Sequence, residues 1–491
     1  PPGTGKTDTL LNTVKEYVDK GTPLNQIGYF AFTRKAAGEA RDRYLESRPN
    51  LTKKDIKYFQ TLHSLAFNSL GLKEENVMQE EHYRWVGEQA GLRIKYSIYE
   101  KNAFNGIFTD KSEYLNIINL AKLRNTTVLE QLDRNEHLGK IERDKLFILD
   151  KKINEYKHAH ELIDYNDMII QFIEKKKKAC PPFKVVFIDE AQDLSPLQWR
   201  MVEVLQEYSS NVYVAGDDDQ AIFGWAGADV QSFIKFDAVE ISLQQSHRVP
   251  RLIYNTAIRR LDNITEGRIK KNYFPTVEKG NVKTFFSIDT INLSKEDWYI
   301  LARTNDLLKP IISQLHRRGI YYETRQGPSL SKSLYRDILN WEKWKKGEQL
   351  NTIEAQRVFE RLGLKLKETD DKLFSLDSLI LLHPTIQKSP WYDAFTTITP
   401  RTKTYIRAMR KNGENLKEKP RIKVITLHGS KGGEATNVVI LQTQTTNTIK
   451  AARKSKIRRD EEQRVWYVGM TRCKKNLFLI RCKDRSKEFR I

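Results

Sequence analysis

The chain has 491 residues, with 84 Lys and Arg against 63 Asp and Glu, so its formal net charge is +21. Hydrophobic residues make up 39%, which excludes a disordered chain, and no run of about 18 uncharged apolar residues predicts a transmembrane helix. The three cysteines, Cys180, Cys473 and Cys482, lack paired spacing, which excludes a disulfide scaffold or a cysteine-based zinc site. The positive excess favours a polyanionic partner.

The first residues form part of a phosphate-binding signature. Pro1–Thr7 reads PPGTGKT and supplies the end of the pattern G-x-x-x-x-G-K-[ST]. The first glycine of that pattern would precede Pro1, so we expect the sequence to lack this glycine and the strand before it. Backbone N–H groups of such a loop bind phosphate oxygens, Lys6 neutralises β/γ charge and Thr7 binds Mg²⁺. The alternative is a glycine-rich turn that starts a helix.

Helices and strands alternate after this loop, which predicts a parallel sheet. The predicted elements are a helix over 7–20, a buried strand over 27–32, a helix over 34–45, a helical, charged insertion over 76–160, and strands over 184–188 and 211–215. A second α/β pattern has strands over 299–302, 424–426, 438–441 and 477–480, with a mostly helical segment over 328–415.

Acidic residues follow two of the predicted strands. Asp189 and Glu190 come directly after one, and Gly216–Gln220 follows the other. The carboxyl ends of parallel strands are where α/β sheets bind ligands. Asp189 is therefore expected to hold Mg²⁺ through its water shell, and Glu190 to orient and activate an attacking water. The alternative is a solvated acidic loop.

Eight short motifs follow one another over almost the whole chain. They are Pro1–Thr7 (motif I), Phe30–Ala37 (motif Ia), Thr61–Ser64, Asp189–Asp193 (motif II), Gly216–Trp225 (motif III), Leu243–Arg248 (motif IV), Thr426–Glu434 (motif V) and Glu462–Arg472 (motif VI). In this order they resemble the motifs of superfamily 1 helicases of the UvrD/Rep type. Singly, several are weak, but the ordered set is very specific.

The resemblance implies a site for ATP and Mg²⁺. Gln220 is expected to sense the γ-phosphate, while Arg248 and Arg472 are expected to reach it and stabilise the transition state. Glu434 resembles the residue that contacts the ribose, and Arg34 is a weaker candidate, for which an ordinary surface arginine is the alternative. The implied catalytic residues are Lys6, Asp189, Glu190, Gln220, Arg248 and Arg472; the implied ATP-binding residues are Pro2, Gly3, Thr4, Gly5, Lys6, Thr7, Arg34, Gln220, Arg248, Glu434 and Arg472; the implied metal ligands are Thr7 and Asp189.

The resemblance also implies contacts to DNA. Aromatic side chains that stack on bases suit a motor because stacking tolerates any base sequence. Phe30 is instead expected in the core, whereas Trp225, flanked by Gly224 and Gly227, is expected to touch a base. The implied DNA-binding residues are Phe32, Thr33, Thr61, His63, Phe223, Trp225, Thr426 and His428.

Three positions depart from the family pattern, and none removes a catalytic group. Arg34 stands where Asn is common, His247 where Tyr is usual and Gly433 where Leu is usual. Because that Tyr packs near the adenine in the family, His247 leaves selectivity for the base open. The basic run over 450–459 is compatible with either a disordered loop or a phosphate contact.

The sequence therefore predicts two RecA-like P-loop NTPase domains with parallel sheets, each carrying a mostly helical insertion. The first core domain comprises 1–75 and 161–245 with an insertion at 76–160, and the second comprises 246–327 and 416–491 with an insertion at 328–415. The implied function is an ATP-dependent DNA helicase that translocates 3′→5′ on single-stranded DNA and unwinds duplex DNA. We expect a cytoplasmic, nucleoid-associated protein of prokaryotic or viral origin, monomeric or weakly self-associating, without a membrane partner.

Two alternatives stay open from the sequence. One is a DNA-stimulated ATPase that translocates and displaces proteins without efficient unwinding. The other is a nucleic-acid-binding protein with a decayed ATPase site, which the presence of Lys6, Asp189, Glu190, Gln220 and both arginines argues against.

Overall fold

The computed structural model describes residues 1–94, 112–134, 141–264, 266–364, 373–375, 380 and 389–491. The chain forms two compact units, Pro1–Lys279 with Asn447–Thr471 and Gly280–Thr446 with Arg472–Ile491. Residues 246–279 thus pack with the first unit, whereas the sequence interpretation placed them in the second core domain. A compact unit is not by itself a RecA-like domain, so the domain boundaries stay predictions.

The first unit contains a four-stranded parallel sheet in the order β2-β1-β3-β4. All five residues of β1 and of β3 are buried, because hydrophobic side chains pack on both faces of the sheet. This double burial explains why both strands are continuous apolar runs in the sequence. The strands are β1 (Ile27–Ala31), β2 (Phe59–Gln60), β3 (Val185–Asp189) and β4 (Asn211–Val214).

Helices surround this sheet and fill the helical insertion, which has a hydrophobic core of its own. A separate pair of parallel strands, β5 (Gln245–Pro250) and β6 (Phe274–Thr276), completes the strands of the unit. The helices up to that point are α1 (Lys6–Asp19), α2 (Arg34–Glu46), α3 (Leu62–Ser69), α4 (Glu80–Gln89), α5 (Glu113–Leu123), α6 (Val128–Arg134), α7 (Arg143–Ala159), α8 (Tyr165–Lys175), α9 (Pro196–Glu207), α10 (Val230–Ile234) and α11 (Arg251–Leu261).

The second unit contains a seven-stranded sheet in the order β10-β9-β13-β8-β14-β15-β7. All neighbours are parallel except β9 and β10, and two short strands, β11 and β12, form an antiparallel pair elsewhere. The strands are β7 (Asn281–Phe285), β8 (Trp298–Ala302), β9 (Tyr322–Thr324), β10 (Gly327–Pro328), β11 (Leu350–Asn351), β12 (Leu373–Phe374), β13 (Ile422–Thr426), β14 (Ala435–Leu441) and β15 (Cys473–Ile480).

The remaining helices follow in chain order. They are α12 (Asn305–Arg317), α13 (Lys332–Lys345), α14 (Thr352–Leu362), α15 (Trp391–Ala394), α16 (Pro400–Lys411), α17 (Thr446–Lys454) and α18 (Lys456–Met470). The basic run over 450–459 is therefore helical, and a disordered loop was the wrong alternative there. Within the described ranges, no helix combines the length and apolar character needed to cross a membrane.

Candidate nucleotide and nucleic-acid site

The loop at the start of the chain is built for backbone contact with an anion. Gly5 adopts the left-handed conformation (φ 79°) at the N-cap of α1, and this cap carries no side-chain hydrogen bond. The N–H groups of the first turn are therefore not capped by a side chain at the positive end of the helix dipole. Lys6 Nζ donates to the Pro1 carbonyl oxygen over 2.9 Å, which holds the ammonium group beside the loop.

The structure brings Thr7 and Asp189 together from positions 182 residues apart. Thr7 Oγ1 donates to Asp189 Oδ2 over 2.8 Å, and the hydroxyl of buried Tyr29 donates to the same oxygen over 2.8 Å. Burial and then the nearby Glu190 raise the pKa of Asp189, while burial and Asp189 hold the pKa of Tyr29 well above its usual value. Tyr29 is consequently a permanent proton donor at this site.

These groups fit a magnesium ion that is also bound by phosphates. Mg²⁺ prefers hard oxygen ligands and usually takes only one or two from the protein, with water and phosphate supplying the others. The Thr7 hydroxyl and the Asp189 carboxylate are oxygen donors of this kind, 2.8 Å apart. Among the described residues, no three His, Cys, Asp or Glu side chains converge on a metal position, so tight binding would need the nucleotide.

Glu190 is held in a strained backbone conformation next to the predicted metal ligand. Its φ is 55°, a value that costs a residue other than glycine about 1–3 kcal/mol and concentrates at functional sites. The Glu190 N–H donates to Asp189 Oδ1 over 2.9 Å, and Gln192 Nε2 donates to Glu190 Oε2 over 2.6 Å. The hydrogen bond from Gln192 therefore holds the Glu190 carboxylate near the carboxyl end of β3.

Gln220 joins the same network through Asp217. Gln220 Nε2 donates to Asp217 Oδ2 over 2.6 Å, and the Asp217 N–H donates to Gln192 Oε1 over 2.9 Å. Lys271, which the sequence analysis missed, lies among three buried carboxylates and contacts Asp217 at 2.7 Å and Asp219 at 3.4 Å as well as Asp218. Burial opposes ionisation of Asp217, but the surrounding positive groups, with Lys271 the strongest of them, together hold the Asp217 pKa well below its usual value.

Arg248 lies on β5, which docks on the phosphate-binding loop. The His247 N–H donates to the Gly3 carbonyl over 2.8 Å, and Ser246 Oγ donates to the Pro2 carbonyl over 3.0 Å. A Cβ at Gly3, whose φ is 70°, would lie 2.5 Å from Arg248 Cβ. The structure thus brings Arg248 to the loop, and glycine at position 3 is required by both space and backbone conformation.

Two further predicted nucleotide contacts belong to the second unit. Arg472 is 2% exposed, and its Nη1 donates to the Gly433 carbonyl over 3.4 Å. Glu434 follows Gly433 and pairs with Lys474 at 3.1 Å. A Cβ at Gly433 would lie only 2.2 Å from the Tyr299 hydroxyl oxygen, which explains why this chain has glycine where the family usually has leucine.

The predicted base-stacking side chains form a connected aromatic group. Phe32 stacks on Phe223 with centroids 5.7 Å apart, and Phe223 meets Trp225 edge-on at 6.4 Å. Phe223 is 4% exposed, whereas Phe32 and Trp225 are half-buried. A base could reach Phe223 only after one of its neighbours moves, while the other two rings are accessible. Phe30 lies in the core at 1% exposure, as predicted.

The predicted phosphate contacts in the first unit have structural partners. Thr33 and Thr61 cap α2 and α3, accepting from the N–H groups of Ala36 and Ser64. Arg34 is the first residue of α2. Burial, and to a smaller extent the charge of Arg34, lowers the pKa of His63 to about 4. Among the described residues, the buried His63 Nε2 has no hydrogen-bond partner, and the lowered pKa makes the imidazole neutral at pH 7.

Two predicted DNA contacts of the second unit lie at the end of β13. Thr426 Oγ1 accepts from the Gly429 N–H over 3.1 Å, which fixes the turn after the strand. Burial and then the charge of Arg303 lower the pKa of His428 to about 3. His428 is therefore uncharged at pH 7 and can contact DNA only as a neutral hydrogen-bonding group.

Helix α18 contacts two parts of the site, the acidic network (Asp217–Asp219 with Lys271) and the aromatic loop (Phe223–Trp225). The motifs taken one at a time did not predict this connection. Arg464 Nε donates to the Asp218 carbonyl over 2.9 Å. Three residues earlier, Glu461 lies so close to Gly224 that a Cβ there would be 1.8 Å from Glu461 Oε1. Arg124, after α5 of the insertion, donates to the Gly224 carbonyl over 2.8 Å. The position of Arg464 within motif VI was the available signal.

Comparison with known proteins agrees with this arrangement. Residues 1–239 match the UvrD/REP helicase N-terminal domain, and residues 346–484 match the UvrD-like helicase C-terminal domain. DNA helicase II of Haemophilus influenzae is 26% identical over 366 residues, covering 66% of this chain and 48% of the relative. ATP-dependent DNA helicase PcrA of Staphylococcus aureus is 24% identical over 284 residues, 55% of this chain and 38% of the relative.

A third relative aligns more completely. The putative ATP-dependent DNA helicase YjcD of Bacillus subtilis is 23% identical over an alignment of 587 positions, gaps included, which covers 97% of this chain and 75% of that protein. The chain spans about half the length, or less, of the first two relatives. Because the two domain matches come in the family's order and together cover most of the chain, the chain belongs to the UvrD/Rep-type family of superfamily 1 helicases.

Proposed function

We propose that the protein is an ATP-dependent DNA helicase that moves 3′→5′ on single-stranded DNA and unwinds duplex DNA. The observation that carries this proposal is the shared carboxylate oxygen of Asp189, which accepts from Thr7 at 2.8 Å beside the strained Glu190. A decayed ATPase site would have no reason to keep that strain. Family membership supports DNA as the polymer, and the direction of movement rests on the family alone.

Each residue has a proposed task in ATP hydrolysis. Backbone N–H groups of the loop and Lys6 bind the phosphates, and Glu190 orients water for attack on the γ-phosphorus. Thr7 and Asp189 would hold Mg²⁺, which would neutralise part of the phosphate charge. Gln220, fixed by Asp217, senses the γ-phosphate, and Arg248 and Arg472 stabilise the charge that develops in the transition state.

The proposed architecture is two RecA-like core domains with insertions, within the boundaries predicted from the sequence. Parallel sheets with acidic residues at their carboxyl ends support this in the first unit. Closure around ATP and reopening after hydrolysis would move single-stranded DNA past Phe32 and Trp225, with backbone contacts from Thr33, Thr61, His63, Thr426 and His428. The second candidate, a translocase that displaces proteins without efficient unwinding, shares all these steps except strand separation.

The test combines turnover with strand separation. Glu190→Gln should abolish DNA-stimulated ATP hydrolysis while leaving nucleotide binding intact, since the amide still fits but cannot activate water. Glu203→Gln, on the exposed face of α9, is the matched control and should turn over like the unsubstituted protein. If Glu190→Gln turns over normally, the proposed chemistry is wrong.

Tailed duplexes separate the two candidates and the direction. Unwinding of a duplex with a 3′ overhang, but not of one with a 5′ overhang, is expected. Streptavidin displacement from end-labelled single strands without unwinding of either duplex would favour the translocase instead.

A further inference from the structure

Helix α17 carries a basic face that the proposed function does not use. Lys450, Arg453 and Lys454 are exposed, and their spacing of three and four residues puts them on one side of the helix. None of these three cations forms an ion pair with an acid among the described parts of the chain, and Thr446–Lys454 contains no Asp or Glu. Three uncompensated positive charges therefore face solvent together.

The fold does not account for this face. No residue of α17 is buried, so packing does not select its sequence. Like charges three and four residues apart cost an isolated helix about 0.2–0.5 kcal/mol per pair. The helix dipole favours the cations of the last turn, Arg453 and Lys454, but not Lys450. An anionic partner would remove the repulsion for all three.

The basic face is covalently and structurally close to the aromatic loop. Helix α18 follows α17 after Ser455, and in its first turn Arg458 Nη1 donates to Glu461 Oε2 over 2.9 Å. Glu461 in turn touches Gly224, next to Trp225. Lys454 precedes Arg458 by four residues, so the Cα atoms of these two residues are at most about 14 Å apart.

We propose that Lys450, Arg453 and Lys454 bind the phosphate backbone of the single strand whose bases stack at Trp225. This rests on the proposed function, because it takes the polymer to be DNA. Each cation can neutralise one phosphate, so up to three contacts form. These contacts bind the strand without preference for any base, because phosphate contacts carry no sequence information.

Salt dependence of binding tests this directly. Each phosphate contact on a single strand contributes about 0.7 to the slope of log K against log salt. The triple variant Lys450→Gln, Arg453→Gln and Lys454→Gln should lose up to about 2 from the slope measured with a labelled oligo-dT by fluorescence anisotropy. Between 50 and 200 mM salt, the affinity of the triple variant should fall less than that of the unsubstituted protein. The two falls should differ by about 2.6-fold for each contact removed.

A matched control separates a local contact from net charge. Lys175, Lys177 and Lys178 are exposed, so changing all three to Gln removes the same charge elsewhere and should leave the slope unchanged. Arg453→Lys alone keeps the charge and should also keep the slope. Equal slopes for the two triple variants would overturn the proposal.

The remaining outcomes are also decisive. A slope change seen with a blunt duplex but not with oligo-dT would overturn the proposal as stated and assign the face to duplex DNA. If the unsubstituted protein binds no DNA, both this inference and the proposed function fail. If it binds but the two triple variants behave alike, only the inference fails.

Discussion

Replacing Lys271 by methionine should expose how the acidic network of the first unit is held together. The Lys271 side chain is 12% exposed, and the side chains of Asp217, Asp218 and Asp219 that surround it are at most 4% exposed. Methionine keeps most of the volume but removes the charge. Breaking one partner of a buried pair typically costs about 3–5 kcal/mol, because the other charge stays buried without compensation.

The loss should depend on pH. Burial and then Asp217 raise the pKa of Asp219 to about 6 even with Lys271 present, so this carboxyl stabilises the fold at low pH and loses that contribution as pH rises toward 6. Without Lys271, the pKa of Asp219 should rise further and the pKa of Asp217 should rise from its lowered value, so both ionised carboxylates cost more free energy at neutral pH. The destabilisation should therefore be larger at pH 7.5 than at pH 5.

Thermal melting at the two pH values measures this. Since about 1 kcal/mol shifts the melting temperature of a domain of 150–250 residues by about 2–4 °C, Lys271→Met should melt at least roughly 6 °C lower at pH 7.5. The neighbouring Lys270 is exposed, so Lys270→Met is the control and should melt like the unsubstituted protein. Equal melting of the two variants at both pH values would refute the reasoning.

Three other changes test the site. Gly3→Ala should weaken binding of a fluorescent ATP analogue more than Gly5→Ala, since only position 3 has a neighbouring Cβ at 2.5 Å whereas position 5 has open space; equal effects would contradict this. Burial lowers the pKa of His63 to about 4. The free energy of unfolding should therefore fall by at most about 3 kcal/mol as pH drops from 6.5 toward 4. Urea unfolding of His63→Gln should show a smaller fall over the same pH range. Gly433→Ala should reduce nucleotide affinity by displacing Glu434, and adding Tyr299→Phe should restore part of it, because the closest atom to the new Cβ is the Tyr299 hydroxyl oxygen at 2.2 Å; no recovery would place the cause elsewhere.

The sequence predicted the strands with continuous apolar runs and the acidic residues that follow two of them, because these are local signals. It did not predict the parallel strands β2, β5, β6, β7 and β9. Predicted strand 184–188 is β3 at Val185–Asp189, while the predicted start at Leu477 was late, since β15 begins at Cys473. Lys474 and Lys475 are exposed and interrupt the apolar run, which hid those residues of the strand. A local apolar run therefore predicts the buried part of a strand but not the residues at its polar end.

The partners of the site were harder to predict because they come from distant segments. Nothing near Lys271 in the sequence indicates three carboxylates, since Asp217 lies 54 residues away. The same holds for Arg124, whose contact with Gly224 spans 100 residues. Tyr29 read as a core residue of a buried strand, and its hydroxyl contact with Asp189 follows only from the register of β1 and β3. Such contacts depend on how elements pack, which periodicity does not encode.

Helix α18 has a mechanical consequence. Glu461 touches the aromatic loop and Arg464 holds the backbone of the acidic network, and the two side chains are separated by less than one turn, a rise of about 4.5 Å. A continuous helix is stiff over so short a span. A shift of Asp218 should therefore be passed through this one stiff segment of helix to Gly224 and the neighbouring Trp225.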